Sequence, residues 1–236
     1  MCKIPEESSQ SKSNNELRKY IFRDRNRTNL LKNWEQRAIT FLVQHIPSWI
    51  SSNMLTAIGF IGSIIVSASF ILAAYLNKNF LLFGILGFII SWFGDSLDGR
   101  LAYYRNKPRK FYGFVLDITI DWISIILIGY GYIVYSEGIW ELFGYIFTVM
   151  YGWEMIIALM RYKIIGKYSI DSGILGPTEA RIIISSMMVF EVILPGSIKY
   201  SALFIVILVF ITNIIDTRKL LKISDDIDKK TKANHE

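Results

Sequence analysis

Residues 94–122 read GDSLDGRLAYYRNKPRKFYGFVLDITIDW. The segment carries Asp95, Asp98, Asp117 and Asp121, yet the residues on both sides are apolar enough to read as lipid-spanning. Asp95 and Asp98 are three apart, and Asp117 and Asp121 are four apart. At those spacings each pair shares one face of a helix. The link between the pairs, RNKPRK, is short and basic, and its Pro108 breaks the helix. A short link makes consecutive helices antiparallel, so both pairs are expected at one membrane depth, facing each other.

Outward from this segment the apolar runs continue. The chain has 236 residues, is 52% hydrophobic and carries a net charge of +6. A bilayer core about 30 Å thick needs roughly 20 apolar residues per helix. Runs at about 54–75, 80–103, 113–135, 139–161, 178–194 and 199–216 meet or approach that length, the fifth being short. Strict alternation, the signature of a barrel, is absent. The expectation is an all-α integral membrane protein with six transmembrane helices, since lipid leaves no backbone group unpaired.

Residues 1–28 form a polar N-terminal segment without an apolar core, so no cleaved signal peptide is expected. The one cysteine, Cys2, allows no disulfide within the chain. Residues 29–46 read as an amphipathic helix lying in the membrane interface. Its apolar face is Leu30, Leu31, Trp34, Ala38, Phe41, Leu42 and His45, and Lys32, Glu35, Gln36 and Arg37 fall elsewhere. Packing against its own bundle is the alternative. Residues 47–218 form the transmembrane domain, with Ser52 or Asn53 capping its first helix. Residues 219–236 are a polar tail, whose Asp225, Asp226 and Asp228 lack the glycine and glutamate of a calcium loop.

Of the 26 Lys and Arg, all but Lys78 and Lys199 fall on or beside one face if both termini share it. The positive-inside rule then places the termini and the aspartates at the cytoplasm, in a multi-pass protein among membrane lipids. Positive charge that borders spans on one face marks topology, and no nucleic-acid partner is expected.

Four ionised carboxylates this close repel one another, and intramembrane ionisable groups are rare outside functional sites. Bound cations reconcile them. Oxygen-only ligands suit Mg²⁺, Mn²⁺ or Ca²⁺, and two such ions about 4 Å apart clamp a phosphoryl group in displacement. The plainer alternative pairs some of the aspartates with Arg100, Arg105 or Arg109. Gly99, Ala102 and Gly113 are small enough for a bulky ligand, or a neighbouring helix, to approach the backbone closely. A membrane carrier using the carboxylates as a cation pathway is a second functional class. Carriers place such groups at the midplane, however, and these sit at one face.

At these residues the sequence resembles the CDP-alcohol phosphotransferase family, whose signature is D-x2-D-G-x2-A-R followed by G-x3-D-x3-D. Asp95, Asp98, Gly99, Ala102, Gly113, Asp117 and Asp121 match it, and Tyr103 stands where the arginine is expected. Arg100 and Arg105 are the available substitutes. Asn53 and Thr56 resemble the family's Pro-Asn-x2-Thr, with Ser52 for the proline, and so fall at the nucleotide pocket or simply at a helix start. The resemblance implies two divalent ions, Mg²⁺ or Mn²⁺, held by Asp95, Asp98, Asp117 and Asp121. It also implies Asp121 as general base, a CDP-activated lipid or alcohol donor, a hydroxyl acceptor and release of CMP in phospholipid biosynthesis. A homodimer is among the assemblies left open.

The acceptor is less legible. IPSWISSNMLT and PTEAR look like the choline/ethanolamine phosphotransferases, whose acceptor is diacylglycerol. A basic loop with Arg161, Lys163, Lys167 and Arg181, leading to Glu179, is similar to members that use inositol-type or glycerol-phosphate-type alcohols. Glu154, inside the fourth run, either pairs with Arg161 or lines the cavity.

Overall fold

The computed structural model describes residues 16–22, 31–165 and 176–233. After a helical turn at 16–21 come α1 (Lys32–His45), α2 (Ser52–Tyr75), α3 (Leu81–Tyr104), α4 (Lys110–Tyr135), α5 (Glu141–Ile165), α6 (Pro177–Ile193) and α7 (Ser197–Ala233). No strand occurs among the described residues. The chain is thus an all-α membrane protein. Five helices (α2, α3, α4, α5 and α7) are long and apolar enough to cross a bilayer. The expected fifth run is α6, whose 17 residues extend only about 26 Å.

The helix ends follow from local chemistry. Ser51, rather than Ser52 or Asn53, caps α2: its hydroxyl accepts from Met54 N at 3.2 Å. At the end of α3, Asn106 takes a left-handed conformation (φ 55°), which Asn tolerates better than most residues. Asn106 N donates to Tyr103 O at 3.0 Å and Lys107 N to Ala102 O at 2.9 Å, the paired bonds that close a helix C-terminus. Pro108 then prevents continuation, and the chain turns back into α4.

α3 and α4 are not packed along each other as the short link implies. Each packs on α2 instead. Followed by neighbours, the order is α2, α3, α6, α7, α5, α4 and back to α2, a closed ring. The α2–α3 seam is the tightest and is made by glycine. A Cβ at Gly87 would stand 2.8 Å from Gly62 O, and one at Gly94 would overlap the backbone of Gly59 and Leu55. The α2–α4 seam is similar, with Ser67 Oγ donating to Leu127 O at 2.7 Å beside Gly131.

α1 packs on α3 with the face opposite its apolar one, so the alternative in which the apolar face packs on the bundle does not hold. It buries Glu35, Gln36, Ile39, Thr40 and Val43, and leaves Trp34 77% and Phe41 61% exposed. Glu35 is buried because Thr178 Oγ1 at the start of α6 donates to it at 2.9 Å. The outward aromatic face is the one suited to lipid headgroups. The expected polar tail from residue 219 is a helical continuation of α7 through Ala233, held on its exposed surface by Lys229–Asp225 at 2.6 Å. Asp225, Asp226 and Asp228 are all exposed there.

Candidate functional site

A ring of six helices with glycine only at some of its seams leaves space at its centre. That space is a cavity of about 160 Å³, lined by residues of all six helices. At one end stand Asp95 and Asp98 from α3, Asp117 and Asp121 from α4, Thr56 from α2 and Arg181 from α6. The two aspartate pairs face each other, as their spacing predicts, but across this cavity and not across a helix contact.

Asp95, Asp117 and Asp121 each bring one carboxylate oxygen within 4.8 Å of the others. Three hard oxygens converging at that separation fit a divalent cation. Asp98 stands slightly apart. Its Oδ2 accepts from Thr56 Oγ1 at 2.6 Å and its Oδ1 from the backbone N–H of Gly99. Both bonds fix the orientation of the carboxylate.

The arginines divide differently from the expectation. None of Arg100, Arg105 and Arg109 lines the cavity. Arg100 is buried at 3% exposure, donates to Ile21 O and lies over the rings of Phe22 and Tyr103. Arg105 donates to the carbonyls of Ile50, Pro47 and Ile46. Neither replaces the motif arginine at the carboxylates; both clasp the N-terminal segments onto the end of α3. Tyr103 is buried in the same cluster. Arg109 donates to Asn53 Oδ1, and Asn53 Nδ2 to Tyr112 OH at 3.4 Å. Asn53 therefore ties the start of α2 to the start of α4.

Among the described residues, Arg181 meets the carboxylates: its Nη2 lies 2.6 Å from Asp95 Oδ2. The sequence offered Arg181 only as one basic residue among several, because the separation from Asp95 is 86 positions. Glu179, two residues earlier, is structural. It accepts from Gly176 N and from Leu31 N, each at 3.0 Å, capping α6 and anchoring α1. Arg161 pairs with Asp216 at 3.1 Å, while Glu154 lines the cavity. Lys163 lies at the end of α5, and Lys167 falls outside the described residues.

Gly99 and Gly113 differ from the seam glycines. A Cβ at either would meet nothing within 4 Å. Packing does not require glycine there. Ala102 is partly exposed on the same end of α3.

Away from the carboxylates the cavity wall turns apolar, with Phe60, Phe88, Ile125, Phe147, Ile184 and Leu208 among its residues. Ser63, Ser91, Ser124 and Thr212 add scattered hydroxyls, and among the described residues no further charged side chain beyond Glu154 and Arg181 joins the four aspartates in the wall.

No curated protein matches the sequence of this chain. A sequence model of one family does, over residues 49–216, which takes in α2 to α6, the apolar part of α7 and both aspartate pairs; its description is CDP-alcohol phosphatidyltransferase.

Proposed function

The chain belongs to the CDP-alcohol phosphatidyltransferase family, and from that premise we propose a metal-dependent transfer of a substituted phosphate from a CDP-activated donor to a lipid alcohol. Membership makes it a membrane phosphotransferase of phospholipid synthesis that uses a CDP-alcohol. The observation that carries the finer reading is the shape of one cavity, carboxylate-lined at one end and apolar beyond.

Asp95, Asp98, Asp117 and Asp121 are the residues to hold two divalent ions, Mg²⁺ or Mn²⁺. The converging oxygens of Asp95, Asp117 and Asp121 fit such ligation. When bound, the ions neutralise the donor's pyrophosphate and the charge that develops on departing CMP. Thr56 fixes the Asp98 carboxylate, and Arg181 fixes that of Asp95. Gly99, Ala102 and Gly113 leave the backbone open to the nucleotide, which is why glycine stands where packing asks for none. Asn53 supports that surface by joining α2 to α4.

Asp121 is the general base. It takes the proton of the acceptor hydroxyl as that oxygen attacks the phosphorus bearing the donor's alcohol. The pyrophosphate P–O bond breaks and its electron pair leaves with CMP. The acceptor approaches from the apolar side. A polyol there would trade its hydration for aliphatic walls, whereas a lipid loses little. This favours a diacylglycerol-type acceptor over an inositol-type or glycerol-phosphate-type one. With α6 also crossing, six spans put both termini and the carboxylates at the cytoplasmic face, where the basic residues lie.

The test is a screen of CDP-activated donors against acceptors with purified protein, read by CMP release and product mass. A polar CDP-alcohol with diacylglycerol is the expected productive pair. Turnover only with CDP-diacylglycerol and a polar alcohol would overturn the acceptor assignment.

A further inference from the structure

We infer that a second cavity, deeper in the ring, receives the end of a substrate acyl chain and sets the chain length the enzyme accepts. The inference rests on the lipid-substrate reading above. The second cavity measures about 50 Å³, and Ile128, Phe147, Ile184 and Ile205 line both it and the first. The two therefore adjoin, and together they extend from the carboxylates into apolar surroundings as the path proposed for the chain. Along α4 the path runs from Asp121 to Tyr132, about 16 Å.

The chemistry of the wall selects the occupant. Among the described residues no charged side chain lines the second cavity, whose wall also includes Phe70, Phe143, Met187, Ala202 and Val206. A headgroup placed there would lose its water without replacement. Methylenes gain on transfer into such a site, by about 0.8 kcal/mol each. The far end is walled by buried side chains. Phe70 and Tyr132 meet edge to face at 6.2 Å, and Ile198 is packed beside them at 5% exposure. Ile198 is itself fixed, because its backbone N–H donates to Glu191 Oε2 at 2.8 Å, while Glu191 Oε1 accepts from Tyr135 OH at 2.9 Å. A chain entering from the carboxylate end meets a rigid stop, and a rigid stop discriminates by length.

The chain can belong to the acceptor or to the donor, and the experiment separates the two. Ala202→Phe fills the second cavity and Met187→Ala enlarges it. Full-length parent and variant proteins are assayed with diacylglycerol acceptors from dioctanoyl to dioleoyl and, separately, with CDP-diacylglycerol donors over the same range. Thermal melting reports folding independently. In the series whose chain occupies the path, Ala202→Phe lowers kcat/KM for the dioleoyl lipid relative to the dioctanoyl lipid by about tenfold, a typical discrimination for a methylene-sized change in an apolar pocket. Met187→Ala moves the profile toward longer chains and carries the test alone if Ala202→Phe does not fold. A shift confined to the donor series keeps the chain-length site and removes the lipid-alcohol acceptor. Profiles of folded variants that superimpose on the parent in both series overturn the inference.

Discussion

Asp98 and Asp121 belong to one motif but keep different company. Asp98 is bound by Thr56 and by the N–H of Gly99, and stands outside the closest carboxylate group. Asp121 sits within that group, one helical turn beyond Asp117 and on the side where the cavity becomes apolar. If Asp121 accepts the proton, Asp121→Asn keeps the shape and removes the base, at a cost of about 10² to 10⁴ in turnover. Donor affinity at saturating Mg²⁺ should stay near the parent value. Asp98→Asn should weaken donor binding and raise the Mg²⁺ concentration needed for it. Donor affinity and turnover of both variants across a Mg²⁺ series check this, and near-normal turnover in Asp121→Asn would move the base elsewhere. The four aspartates were legible because carboxylates three and four apart inside apolar runs are costly in lipid and rarely occur there without a function. Their partners were not. Which arginine reaches a carboxylate depends on which helices are neighbours in the ring, so Arg181 was indistinguishable from Arg161, and the nearby Arg100 and Arg105 looked better placed than they are.

Among the elements, glycine does two separate jobs. Gly94 lets α2 and α3 touch backbone to backbone, and a side chain there has no room. Gly99, little more than one turn later in the same helix, faces open space. Gly94→Leu should therefore push the helices apart and lower stability by at least the 1–3 kcal/mol usual for overpacking, seen as a drop in Tm. Gly99→Ala should leave Tm within error and weaken donor binding several-fold by crowding the nucleotide. Equal effects of the two substitutions on Tm would mean that Gly99 is a packing residue as well. The small residues Gly59, Gly62, Ser63, Gly87, Ser91 and Gly94 recur at three and four along α2 and α3, so this seam could have been read from the sequence. What holds the polar face of α1 to the bundle could not. Its Glu35 and Gln36 look solvent-facing until Thr178, 143 positions away, supplies a buried partner. At the other end, the polar residues after 218 mark where the apolar run stops, whereas the helix itself continues to Ala233.

At the scale of the molecule, the ring explains why this family signature spans a helix–turn–helix. The turn at Asn106 returns the chain, α2 wedges α3 and α4 apart, and four carboxylates are left around an opening that descends into apolar space. The positions of the six apolar helices were readable from run length, with five of them long enough to cross a bilayer; that the helices enclose a cavity was not, because run length carries no information on neighbours. In the mechanism proposed above, those carboxylates act through hard divalent cations. The most direct test is CMP release from a CDP-activated donor by the purified protein, before and after exhaustive chelation and again after restoring metal. Release should fall to background with chelator and return with Mg²⁺ or Mn²⁺. Full release by the chelated protein would contradict a metal-dependent transfer.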